Sequence, residues 1–279
     1  MLHSWQGRAT HSARGGSLEG NQEGNDVQLN LLPTIQQAIS GLLTTHEPEF
    51  LRLGFRMFIS LATVLIAWQG IHMMFSRDGL GDSMFEFAKL LLFVSFGYAM
   101  IAFYESPIPG FGVSFSNLIT DQTFYLQSIL EARAFDNIYQ HLDELADHFV
   151  QPSAWAILAN LIYWMVLLLV ACAKAVSMAV IAFGLIASAV CALVGPLFVP
   201  FFIVPKLDWL FWSWLKAFIQ YSFIPVVAIA FLMVFERFIF RYVTTLPPAI
   251  TEAEYGVYAL QAVAVIVTFC TGILLVPSL

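Results

Sequence analysis

The densest group of metal-ligating side chains is HLDELADH, which brings His141, Asp143, Glu144, Asp147 and His148 into one short run. Zinc takes such nitrogen and oxygen donors, and a spacing of seven puts the two histidines on one helical face. That face is acidic throughout, and a working site needs ligands converging from other segments, so a solvated helix face is the expectation. Lys174, Lys216 and the adjacent Glu236 and Arg237 stand at or inside apolar runs. Charges at membrane depth line aqueous paths or coupling sites, which makes these four the candidate pore or interface charges. Each also stands near an expected helix end, where its side chain can snorkel to the interface. The same choice, proton relay or interfacial residue, holds for His72. Cys172, Cys191 and Cys270 lie in apolar runs without a CxxC pair and read as packing residues. The sequence contains no phosphate loop, HExxH, GxSxG or dinucleotide fingerprint. The reading is therefore of a non-enzyme with no catalytic residue, no metal and no cofactor.

The elements that position these residues are membrane helices. Of 279 residues, 59% are hydrophobic and 11% charged, with mean hydropathy +0.78. Soluble domains carry roughly 25% charged residues. The fold class expected is an all-α, polytopic transmembrane bundle of five to six spans. The formal charge of −7 argues against a free-standing basic domain for nucleic acid. Residues 1–28 are polar and glycine-rich and read as a disordered tail. They show no apolar signal-peptide core, so the first span is expected to direct insertion. Residues 29–49 read as an amphipathic interfacial helix, and 50–104 as a transmembrane hairpin. Residues 105–152 form an acid-rich extramembrane loop of one or two amphipathic helices, with Leu142, Leu145 and Phe149 on the apolar stripe. Residues 153–279 are the transmembrane core.

Trp155–Phe235 dominates that core. Trp155 to Pro205 would span roughly 75 Å as one helix, against a bilayer core of about 30 Å. Two spans are therefore expected, 155–173 and 177–199, with Lys174 in a tight turn between them. A lysine at the bilayer centre costs about 3 kcal/mol, and a turn removes most of that. Gly184, Ser188 and Ala192 repeat at spacing four, a small-residue stripe for close helix packing. Pro196, Pro200 and Pro205 each remove a backbone donor, so a break is expected over 195–205. Trp209 and Trp212 follow as interfacial aromatics.

The run VGPLFVPFFIVPKLDWLFWSWLKAFIQYSFIPVV resembles the core signature of the TrbL family, polytopic inner-membrane subunits of type IV secretion systems equivalent to the sixth VirB subunit. That signature passes from a Gly-Pro helix end through a proline-containing apolar stretch to a Trp-bearing aromatic block. Gly195, Pro196 and Trp214 carry it, with Pro200 and Pro205 inside the stretch. The resemblance implies a multi-pass protein of the bacterial inner membrane, acting as scaffold and channel component in conjugative transfer. It implies support of pilus assembly and passage of DNA or protein substrate, with energy from separate ATPases. Implied partners are the bitopic assembly factor, the small inner-membrane subunits, pilin and minor pilin, the lipid bilayer, and copies of itself in a homo-oligomeric ring, a pentamer among the candidates.

Basic residues divide almost evenly between the two sides, so orientation rests on the acidic loop, whose near lack of basic residues favours export. A competing reading is a secondary transporter or small-solute channel built on a proline-broken helix. No matching broken span exists in the first half, where PIPGFG lies between spans.

Overall fold

A computed structural model describes residues 31–75, 80–251 and 253–278. The tail at 1–28 and Arg77 lie outside the described residues. Among them the chain forms six α-helices: α1 (Leu31–Phe75), α2 (Leu80–Ala102), α3 (Phe115–Asp147), α4 (Ile157–Phe198), α5 (Asp208–Thr245) and α6 (Tyr255–Leu275). A 3₁₀ turn, Val199–Ile203, joins α4 to α5. Five of these helices, all but α3, are long and apolar enough to cross a membrane.

Two expectations change. The spans placed at 155–173 and 177–199 are one unbroken 42-residue helix, α4. The reason is tertiary: Lys174 needs no turn, because its ammonium pairs with Asp143 of α3. A six-span count therefore gives way to five. The described part of the interfacial segment, 31–49, is continuous with the first span in the 45-residue α1, with Pro48 inside it. Pro48 interrupts one backbone hydrogen bond without ending the helix.

α4 and α5 run antiparallel as the central pair. α4 is about 63 Å long at 1.5 Å per residue, and α5 about 57 Å. At one end α1 and α2 pack around the corner between them, with Phe58, Ile101, Tyr104, Phe211 and Phe218 buried together. Toward the other end α3 and α6 pack on the pair, burying Ile138, Leu142, Leu145, Ile181, Ile229 and Phe269. The tip of the α1–α2 hairpin extends away from the corner and is tied by Gln69 donating to Glu86 at 3.5 Å. α3 begins after the loop ESPIPGFG, in which Gly110 and Gly112 take positive φ of 92° and 74°. Ser114 caps it by accepting from Asn117 N–H at 3.3 Å.

Candidate functional site

The corner between α4 and α5 is built by what proline removes. Pro196 has no N–H, so the Ala192 carbonyl four residues earlier loses its helical donor. The Tyr104 hydroxyl, from the end of α2, donates to that carbonyl at 2.5 Å. Burial, with the Glu47 and Glu105 carboxylates nearby, raises the Tyr104 pKa and keeps the phenol a donor. Gly195 makes room: a Cβ there would stand 1.9 Å from Tyr104 Oη and 2.6 Å from the Trp214 ring. Trp214, 5% exposed, donates from Nε1 to the Cys191 carbonyl at 2.9 Å. It stacks on Phe218, with centroids 5.7 Å apart.

The next proline repeats the device. Pro200 frees the Pro196 carbonyl, and α1 seats on it at Gly54, where a Cβ would lie 2.2 Å from that oxygen. Pro205 frees the Phe201 carbonyl, which accepts from Val204 N–H at 3.2 Å. Lys206 then takes a left-handed φ of 79° to turn the chain into α5. The break expected over 195–205 thus divides: Gly195 and Pro196 lie within α4, and the chain leaves the α-helix at Val199. Trp209 and Trp212 point outward, 58% and 53% exposed.

The small-residue stripe lies inside the chain. Gly184, Ser188 and Ala192 are buried. A Cβ at Gly184 would meet the Pro225 ring of α5 at 2.7 Å. The stripe's role in this structure is to bring α4 against α5.

The candidate charges are distributed differently. α3 presses its apolar face into the groove between α4 and α5, with Ile138, Leu142 and Leu145 wholly buried. Its polar flanks pin it on both sides. Toward α4, Lys174 Nζ donates to Asp143 and lies 5.8 Å from the Tyr139 ring centroid. The Tyr139 hydroxyl and Ser177 Oγ are 3.2 Å apart. Toward α5, Asn137 Nδ2 donates to Glu236 at 3.3 Å, and His141 Nε2 lies 4.0 Å from the same carboxylate. His141 Nδ1 is 2.9 Å from Glu144, and His148 Nδ1 is 2.6 Å from the Glu144 carbonyl. The structure thus brings Lys174 and Glu236 to one polar layer. Lys216 and Arg237 are exposed and have no ion-pair partner among the described residues. Among the described residues, no three His, Cys, Asp or Glu side chains gather as a metal site.

Tyr104, Gly54, Pro225 and Tyr139 were not singled out in the sequence. Their partners lie at least 38 residues away along the chain, and no local spacing announces them. One clue existed: a proline inside a helix demands a substitute donor.

Five helices of membrane-crossing length, a proline corner held by side chains, and a docked polar helix define a multi-pass α-helical membrane protein of structural type. The chain matches the model of the family described as TrbL/VirB6 plasmid conjugal transfer protein over residues 62–277, and it belongs to that family. It is a component of the conjugal transfer, or type IV secretion, machinery and works with that machinery's other subunits. No curated protein matches it.

Proposed function

We propose that this chain is an inner-membrane scaffold and channel component of a type IV secretion machine, supporting pilus assembly and the passage of DNA or protein substrate. The observation that carries the reading is the family match over most of the chain. The architecture supports it: the Tyr104 hydroxyl and the Trp214 indole join α2 and α5 to α4. The partners are the bitopic assembly factor, the small inner-membrane subunits, pilins and further copies of this chain in a ring. The exposed apolar side chains of α2, Phe85, Leu92 and Phe96 among them, suit contact with lipid or another copy.

In this proposal the α4–α5 corner faces the cytoplasm. Gly54 seats on Pro196, which brings Arg52 and Arg56 to the end that carries Lys206 and Lys216. Arg237 and Arg241 lie toward the other end of α5, so the choice of side rests on the acid-rich segment 105–152, whose near lack of basic residues favours export. The acid-rich α3 then ends toward the periplasm as the partner-facing element. The transporter alternative loses its main feature, because the prolines form a corner between two helices and do not break one span.

The test is a donor cell lacking this chain, complemented with wild type or with Trp214→Leu. Transfer and pili should be absent without the chain and restored by wild type. A Trp214→Leu protein present at normal abundance should transfer poorly. Undiminished transfer without the chain overturns the proposal. Proteoliposomes should show no small-solute flux, and selective flux would favour the transporter.

A further inference from the structure

A cleft of about 390 Å³ opens between α3 and α4, with Leu167, Val170, Ala171 and Met178 as its apolar floor and Lys174 and Asp143 at its polar edge. Ligand sites commonly fall at 300–1,000 Å³ and pair apolar walls with a few polar groups. The floor runs from Leu167 to Met178, about 16 Å of helix. Beside it the outer face of α4 is bare of protein: Trp164 is 63% and Leu168 65% exposed. The cleft therefore opens onto the apolar surface that a bilayer covers.

The polar edge carries both signs with bonding capacity to spare. Lys174 has three N–H donors, yet its side chain is only 16% exposed and among the described residues its one acceptor is Asp143. The Asp143 side chain is 61% exposed, and its second oxygen is open to a further donor. An anionic headgroup would meet the Asp143 carboxylate and be repelled. A quaternary ammonium would meet that carboxylate with charge but without a hydrogen bond.

We propose that this cleft binds a zwitterionic phospholipid bearing a primary ammonium. Its phosphate accepts from Lys174, its ammonium donates to Asp143, and an acyl chain lies along Leu167, Val170 and Ala171. The lipid thereby caps the ion pair that holds α3 to α4. This assignment is independent of the transfer role.

The test uses the full chain purified in mild detergent. It is incubated with an equimolar mixture of phosphatidylethanolamine, phosphatidylcholine and phosphatidylglycerol, and adducts are read by native mass spectrometry. Phosphatidylcholine has the same charges but no N–H donor, so it isolates the Asp143 contact. Phosphatidylethanolamine should exceed each competitor by about tenfold or more, the scale of one charge-assisted hydrogen bond. Asp143→Asn should bring the ethanolamine-to-choline ratio to about one. Ala171→Phe, which fills the exposed floor and leaves both charges, should remove most of the adduct with the thermal midpoint unchanged. Equal binding of all three lipids, or preference for phosphatidylglycerol, overturns the proposal. A preference surviving Asp143→Asn overturns the headgroup assignment, and one surviving Ala171→Phe overturns the site.

Discussion

The α4–α5 corner and the α3 docking layer solve one problem by opposite means. Each must hold helices together around polar groups that a bilayer would not solvate. The corner does so without charge: Tyr104 and Trp214 donate to the Ala192 and Cys191 carbonyls, and Gly195 and Gly54 let rings and backbone close in. The docking layer uses charges and amides at its edges: Lys174 with Asp143, Asn137 and His141 with Glu236. On α5, Lys216 and Glu236 are separated by about 30 Å of helix, and no Asp, Glu, Lys or Arg intervenes. The corner is shape-locked, so it should be intolerant of added atoms. The docking layer is edge-pinned, so it should absorb single losses.

Substitutions in each region test that contrast. Gly195→Val should have the largest effect, because its first carbon overlaps Tyr104 Oη at 1.9 Å. Overpacking typically costs about 1–3 kcal/mol and occasionally more, and with so close an overlap monodisperse protein in size-exclusion chromatography should fall sharply. A wild-type profile would mean the corner is not shape-locked. Tyr104→Phe keeps the shape and strands the buried Ala192 carbonyl, which should cost about 1–3 kcal/mol. Denaturant titration in micelles reads this, and an unchanged midpoint would show that the carbonyl is satisfied some other way.

At the docking layer, a double-mutant cycle of Lys174→Gln and Asp143→Asn should return a coupling of about 0.5–1 kcal/mol, as for partly exposed pairs. A coupling as large as the Tyr104→Phe loss would erase the distinction between the regions. The smallest effects should come from Lys216→Gln and Arg237→Gln. Both residues are exposed and without ion-pair partners among the described residues, so stability should stay within about 0.5 kcal/mol of wild type. If transfer falls while stability holds, these two charges act on a partner or substrate and not within the fold.

Membrane class, helix content and the apolar stretches were legible in the sequence, because a long uncharged run has few physical outcomes. The Gly-Pro/Trp run was legible too, and it carried the family resemblance that the match to residues 62–277 bears out. The turn expected at Lys174 failed for a specific reason. The cost of a charge in an apolar helix can be met by ending the helix or by supplying a counter-charge, and sequence spacing does not distinguish the two. Asp143 lies 31 positions away on α3, and only folding brings it into range.

The sequence by itself determined that this chain lives in a membrane and that the carbonyls four residues before Pro196 and Pro200 would need new donors. Apolar run length and the missing proline N–H are local properties of the chain. The tertiary structure alone decided who supplies those donors, that Lys174 sits mid-helix, and that the acidic helix lies against α4 and α5. Those outcomes depend on contacts between residues far apart in the chain, which local pattern cannot encode.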